Sequence, residues 1–310
     1  MNKYIILPDV TCDLCPEIRE EIGLQDYVHG YVHINDESIR TTLDWSAISR
    51  ADFYKALSDK KNQVSSAVAS PEEFYQKFLK YAQQGYSIIS MSLSAAISGT
   101  HSATEMAARR IREEFPQLQV HCVDTRRMSG AFGLLVIYAC DLQRQGKSFD
   151  EVVAWLEENK ARVHQMGPMD DLSYIARRGR ISKGKAVMAT LAGIKPMGDA
   201  NAEGYVTVLG KAKGIKKALD ATVGYLKRMA VDVQDQYIII SHSDREEYAL
   251  TLKAKVEQAC PCKKVYVSDV YGSCGPNIGP GMVGVYFLGE PISDDCAKEK
   301  EILAQALAEA

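Results

Sequence analysis

The stretch that most constrains the fold runs from residue 86 to residue 111. Residues 86–91 form an apolar-leaning run of strand character. They lead into Ser92, Ser94, Ala95, Ala96, Ser98 and Gly99, side chains small enough for another group to approach the backbone. Thr100 then opens a helical pattern through Met106, Ala107 and Ile111. Strand, small-residue turn and helix start is the arrangement in which unpaired N–H groups and the positive helix end converge on an anion. Ser98 and Thr100 add hydroxyls, and Gly99 lets the main chain bend or come close to a ligand. The same residues also read as a structural turn with Thr100 as a helix cap.

The pattern recurs through the first half of the chain. Residues 4–7 read as a buried strand, followed by Pro8 and Asp9, which either meets a ligand beyond the strand end or ties down its own loop as an Asx turn. Residues 64–69 are again small, and Ser70, Pro71 and Glu73 then form a capping box for a helix with Phe74, Phe78 and Tyr81 on its buried stripe. Gly85 is its terminator. Residues 118–123 form a strand ending at Asp124 and Thr125. The apolar helix over 129–144 carries Gly130 and Gly133 in its first turns, which predicts close packing against neighbouring backbone. Ser148 and Glu151 start another helix, with Val152, Val153, Leu156 and Val163 on one face. Residues 28–34 alternate as a strand with His29 and His33 on one face, and no acid or cysteine stands nearby at metal-ligand spacing. Three strands, each feeding a helix, predict a largely parallel sheet covered on both sides.

The second half differs. Residues 186–194 are apolar and are broken by Lys195 and Pro196. Strands are expected over 205–209, 236–241, 265–268 and 282–288, with helices over 215–229, 246–260 and 301–308. This mix predicts a second α/β unit with a mixed sheet. The expected division is 1–165 for an N-terminal α/β domain and 166–310 for a C-terminal one.

A chain of 310 residues that is 46% hydrophobic can bury the cores that two such units need. A net charge of -3 gives no case for nucleic acid binding. The opening MNKYIILPDV has too short an apolar run for a signal peptide, and the longest apolar run, 131–140, cannot span a bilayer. A cytoplasmic protein is expected, not an integral membrane protein, which leaves room for transient membrane contact. Of the eight cysteines, only Cys12 and Cys15 have the two-residue spacing of a thiolate site. They read as a redox pair at a strand-to-helix turn, as half of a zinc site, or, the expectation here, as inert reduced thiols. No metal site is expected.

No Gly-x-Gly-x-x-Gly follows the first strand and there is no Walker loop, and neither Gly-x-Ser-x-Gly nor His-Glu-x-x-His occurs. Ser98 with His101 or His242 as base leaves a serine-dependent esterase or acyl-transfer enzyme as an alternative, although no third group stands out to orient an imidazole. The chain does hold hydroxyls and small residues after separate strands: Ser65 and Ser66, Ser98 to Thr100, Thr125, and the late Asn277-Ile278-Gly279-Pro280-Gly281. Converging, they would hold one carboxylate or phosphate head through neutral donors and main-chain N–H groups. An alkyl tail would gain about 0.8 kcal/mol per buried methylene in an apolar tunnel. Arg177, Arg178 and Arg180, with Lys183 and Lys185, read either as a solvated face or as a recognition patch for an acidic partner or phosphate.

Taken in order, these segments resemble the DegV family of bacterial fatty-acid-binding proteins, which includes the fatty-acid-binding subunit of fatty acid kinase. Asp9-Val10-Thr11-Cys12-Asp13-Leu14 is similar to the family's Asp-Ser-x-x-Asp-Leu, and the run Ser66 to Phe74 to its Thr-Ser-Gln-Pro-Ser-Pro-x-x-Phe. Ile97-Ser98-Gly99-Thr100 matches Leu-Ser-Gly-Thr. Asp171-Leu172-Ser173-Tyr174-Ile175 with Gly179-Arg180-Ile181, then Lys195-Pro196, Gly204, Lys211 and Gly279-Pro280-Gly281, continue the series.

The resemblance implies two α/β domains enclosing a long-chain fatty acid in a tunnel at or near their junction. It also implies a carboxylate held by Ser66, Ser98 and Asn277, with Gly99 and Thr100 beside them. Such a protein carries its ligand, has no catalytic residue or cofactor of its own, and presents the carboxylate to a separate ATP-dependent kinase subunit. Arg177, Arg178, Arg180 and Lys213 are the expected contacts for that subunit. Asn277 stands where the family has histidine, and its amide donates a hydrogen bond but cannot become charged. Lys213 stands where arginine is common, and Val68-Ala69 replaces Gln-Pro. Asn277 leaves open a different small anionic ligand, such as a branched or isoprenoid acid, and Lys213, which lacks the arginine fork, weakens the expectation of presentation to the usual kinase partner.

Overall fold

In the computed structural model, residues 3–181 and 193–310 are described; Lys183, Lys185 and residues 186–192 of the apolar run lie outside them. Strand β1 (Tyr4–Pro8) is buried along its whole length, and its alternate residues feed two different cores. After it come α1 (Pro16–Ile22), β2 (Tyr31–Ile34), β3 (Glu37–Arg40), α2 (Arg50–Ser58) and β4 (Val64–Ala67). Helix α3 (Pro71–Ala82) has the expected capping box, with Ser70 Oγ accepting from the Glu73 N–H and the Glu73 carboxylate accepting from the Ser70 N–H. Then follow β5 (Ser87–Ser92), α4 (Thr100–Glu114), β6 (Val120–Asp124), α5 (Ser129–Arg144) and α6 (Phe149–Asn159).

Strands β1, β5 and β6 form a wholly parallel sheet in the order β1-β5-β6, as the strand-to-helix alternation predicts. A separate antiparallel sheet, β3-β2-β4, stands beside it and is joined to it by a bridge between Asp9 and Val28. The expected strand over 28–34 is shortened to β2, so His29 precedes it.

Two expectations, one at the end of the first half and one in the second, are corrected. Val163 begins strand β7 (Val163–Met166) and does not extend the preceding helix; its run of four is too short for periodicity to separate strand from helix. Lys195 and Pro196 do not break the chain but lie inside β8 (Ile194–Ala200), between α7 (Ser173–Arg177) and β9 (Val206–Lys213). Proline fits there because only its carbonyl is needed, accepting from the Met169 N–H at 3.0 Å. The remaining elements are α8 (Ile215–Met229), β10 (Tyr237–His242), α9 (Glu246–Ala259), β11 (Lys264–Asp269), the four-residue α10 (Gly275–Ile278), β12 (Val283–Leu288) and α11 (Ala297–Glu309). The mixed sheet has the order β11-β10-β12-β7, parallel between β11 and β10 and antiparallel elsewhere. The β8-β9 hairpin forms its own two-stranded sheet.

Helix α5 explains how the sheets are joined. It is apolar nearly all round because it lies between them, packing against β1 on one side and β10, β12 and β7 on the other. The largest core therefore draws Ile6, Ile89 and Val123 from the parallel sheet and Ile239 and Tyr286 from the mixed sheet. The two glycines of its first turns are required by this packing. A Cβ on Gly130 would stand 2.4 Å from the Tyr286 ring, and one on Gly133 would stand 2.5 Å from the Cys12 carbonyl oxygen. Helices α3 and α4 cover the outer face of the parallel sheet, and α8 and α9 that of the mixed sheet. Among the described residues, no helix is long and apolar enough to cross a membrane.

Candidate functional site

A cavity of about 120 Å³ opens beyond the carboxyl ends of β1 and β5, where ligands of open α/β sheets usually bind. Its polar wall residues come largely from five places, with His29 entering just ahead of β2. The β1–α1 loop brings Asp9 and Thr11, β4 brings Ser66, and the start of α4 brings Ser98 and Thr100. The α10 segment brings Ser273 and Asn277, and the α7 region brings Ile175 and Arg180. Of the five expected head-group residues, Ser66, Ser98, Thr100 and Asn277 are thus gathered on one cavity. Gly99 is not part of its wall. It caps α4 with ordinary backbone angles, φ -78° and ψ 1°, so neither a positive φ nor a close approach requires glycine there.

The donors are arranged in two pairs. Asn277 Nδ2 donates to Ser66 Oγ at 2.9 Å and more weakly to the Ser273 carbonyl at 3.4 Å. Ser66 accepts that bond and keeps its own hydroxyl hydrogen for another partner. Ser98 Oγ and Thr100 Oγ1 are 2.8 Å apart, and Ser98 Oγ also accepts from the Thr100 N–H at 3.3 Å. This second pair sits on the positive end of a 15-residue helix. Neither candidate base is bonded to Ser98: His101 Nδ1 faces Ser92 Oγ at 3.3 Å, and His242 Nε2 faces Asp269 at 3.3 Å.

Asp9 takes the loop role anticipated for it, and it also reaches the cavity wall. Its Oδ1 accepts from Thr11 N at 2.8 Å and Thr11 Oγ1 at 2.5 Å, while Oδ2 accepts from Leu93 N at 3.0 Å. Burial raises its carboxyl to about 6 in spite of these bonds. Sequence reasoning missed three further wall residues, His29, Thr11 and Ser273. Ser273 Oγ bonds Thr41 Oγ1 at 2.7 Å across 232 residues of sequence, a pairing that no local pattern signals.

A second, apolar cavity of about 70 Å³ shares four wall residues with the first: Met128, Ile175, Val206 and Ile278. Met166, Met169, Met197 and Met282 join Met128 around it, five of the ten methionines in the chain. They come from scattered loops and strands, so their clustering leaves no trace in periodicity. Unbranched, polarizable thioethers give a wall that adapts to the shape of an apolar guest.

The basic residues separate. Arg180 lies in the wall of the first cavity, half-buried, and burial followed by the nearby Arg178 lowers the basicity of its guanidinium. Arg178 Nη2 donates to the Val64 carbonyl at 2.6 Å, anchoring the α7 segment to β4. Arg177 is exposed and lies over the Tyr174 ring at 5.1 Å. A groove of about 800 Å³ walled by Lys60, Tyr174, Arg177 and Arg178 adjoins the cavity. Lys213 is not part of this group. It is exposed at the far end of β9 from Val206, the residue bonded to the Arg180 carbonyl, and seven strand residues span about 23 Å.

Cys12 is buried and Cys15 half-buried, both as free thiols, and burial pushes each above its ordinary range. That environment disfavours the thiolate needed for redox or metal chemistry. Among the described residues, no group of three or more His, Cys, Asp or Glu side chains is placed to hold a metal ion.

Layers of α/β structure joined through a buried helix, with a donor-lined cavity beside an apolar one, define a multi-sheet α/β protein with an internal cavity system. The sequence profile of the DegV family, described as "Uncharacterised protein, DegV family", matches residues 3–290, and the chain belongs to that family. It is 32% identical over 290 residues to a DegV domain-containing protein of Clostridium perfringens, covering 94% of this chain and 99% of that one. Among solved structures, a DegV-family protein from Thermus thermophilus, described for its fatty acid binding, superposes with a TM-score of 0.82 at 25% identity. It covers 93% of this chain and 99% of the other. The fatty acid kinase B3 protein of Streptococcus pneumoniae, loaded with linoleic acid, shares the fold with a TM-score of 0.80 at 20% identity, covering 93% and 100%.

Proposed function

We propose that this protein is a carrier of a long-chain fatty acid, with the carboxylate held among Ser66, Ser98, Thr100 and Asn277 and the chain laid through the methionine-lined cavity. The observation that carries this reading is the shared wall of Met128, Ile175, Val206 and Ile278, which joins a donor-rich cavity to an apolar one. A head with a negative charge needs donors and a tail needs a dry surface, and the two requirements are met side by side. Each methylene placed in the apolar part contributes about 0.8 kcal/mol, so tail length dominates affinity. The Thermus thermophilus relative, described as fatty-acid-binding, supports the same ligand class. In this reading the chain is a two-domain carrier, residues 1–165 and 166–310, without catalytic residues of its own.

The second step of the proposal is presentation of the bound carboxylate to an ATP-dependent kinase subunit. The likeness to a fatty acid kinase B protein supports it, as does the groove carrying Arg177 and Arg178 beside the cavity. Arg180, in the cavity wall itself, would then face both ligand and partner. Titration of the purified, delipidated protein with saturated acids of increasing length tests the carrier step. Affinity that rises with chain length is expected, and no measurable binding at any length would overturn it.

A further inference from the structure

We propose that His29 is the titrating partner of the ligand's acidic head, so that the protein takes up a proton as it takes up a fatty acid. This deepens the carrier reading and rests on it. His29 stands in the wall of the cavity that Ser66, Ser98 and Asn277 also line. Its Nδ1 lies 2.8 Å from the Thr41 carbonyl oxygen. A carbonyl can only accept, so Nδ1 carries the ring's hydrogen and Nε2 is the bare nitrogen of the neutral imidazole. The Tyr27 ring, 4.7 Å away, packs beside the imidazole.

A neutral ring in this tautomer offers a lone pair where a carboxylate needs a donor. Arrival of the anion therefore favours addition of one proton at Nε2, drawn from solvent. The carboxylate keeps its charge, the imidazolium becomes its counter-ion, and no covalent bond is made or broken. In the free protein the imidazole is held below its ordinary range, by burial first and by Arg40 and Lys77 as well, with the bond to the Thr41 backbone and, less strongly, Asp26 opposing them. Lys77 and Asp26 are paired at 2.9 Å, so their effects partly cancel. The other charged groups on the cavity are Asp9 and Arg180. Asp9 already accepts three hydrogen bonds. The incoming negative charge is thus the change that turns His29 from acceptor to donor.

Calorimetric titration with myristate in two buffers of different ionisation enthalpy measures protons taken up per ligand bound. At about pH 7.5 the wild type is expected to take up a large fraction of one proton, and His29→Gln none, with affinity about tenfold weaker. Proton uptake that persists in His29→Gln would place the proton elsewhere, Asp9 first, and overturn the assignment. Uptake of no proton by the wild type, with binding intact, would also overturn it. Absence of binding altogether would instead sink the carrier reading. An NMR titration of the histidine ring signals in the wild type gives the same answer without a substitution: the His29 midpoint should rise on adding myristate, and an unchanged midpoint contradicts the proposal.

Discussion

The side-chain amide of Asn277 donates to the hydroxyl of Ser66 at 2.9 Å, joining residues 211 apart in sequence across the cavity. The bond points the free hydroxyl hydrogen of Ser66 away from Asn277 and makes it available to an anionic head. Ser66→Ala should therefore weaken fatty acid binding by about 1.5–3 kcal/mol, the usual worth of a hydrogen bond to a charged acceptor. Asn277→Ala should cost less, since it removes the orienting group. Equal affinities for both variants and wild type, in a fluorescent-acid displacement assay, would remove these residues from the site.

Val206 tests the junction between the two cavities, because it lines both. In Val206→Phe, a larger ring should obstruct the passage while leaving the polar end intact. Loss of room for about four methylenes corresponds to roughly 3 kcal/mol. The expected result is a large loss for long-chain acids and little change for octanoate. A uniform loss across chain lengths would mean that the cavities are not one path.

Asp13 offers a pH-dependent prediction away from the ligand. It is fully buried, accepting from Ser129 Oγ at 2.5 Å and Tyr271 N at 3.0 Å, and burial raises its carboxyl to about 7. A carboxyl whose folded value exceeds its unfolded one favours folding most when both states are protonated, below about pH 3.9, and loses that contribution as pH rises toward 7. Asn keeps the shape without the charge. Asp13→Asn should thus raise the Tm more at pH 8 than at pH 5, with about 4 kcal/mol as the upper bound of the gain. A gain that shrinks with rising pH would reverse the sign and refute it.

The capping box of α3 is a local check. Ser70→Ala removes the acceptor for the Glu73 N–H and should cost about 1 kcal/mol in urea unfolding, with the slope unchanged. No change in midpoint would contradict the geometry at that helix start.

What could be read in advance was local. Ser70, Pro71 and Glu73 act within one turn, and Gly130 and Gly133 announced a close approach because two glycines in an apolar helix have few other uses. Strand β7 was hidden because four residues after a helix carry no period of their own. Strand β8 was hidden because Pro196 signals a break unless a neighbour needs only its carbonyl. The cavity was legible as a set of donors, Ser66, Ser98, Thr100 and Asn277, since they stand in small-residue stretches whose order along the chain resembles the family's motifs. His29 was not, because its partner Thr41 belongs to a separate loop, and the five methionines were not, because they meet only in three dimensions.

What occupies the two neighbouring cavities decides whether the protein carries a fatty acid. Native mass spectrometry of the protein purified from its host, followed by organic extraction, reads this directly. The prediction is a species heavier than the chain by one long-chain fatty acid, at close to one per protein, with the acid recovered in the extract. A bare chain that also fails to bind added long-chain acids would contradict it.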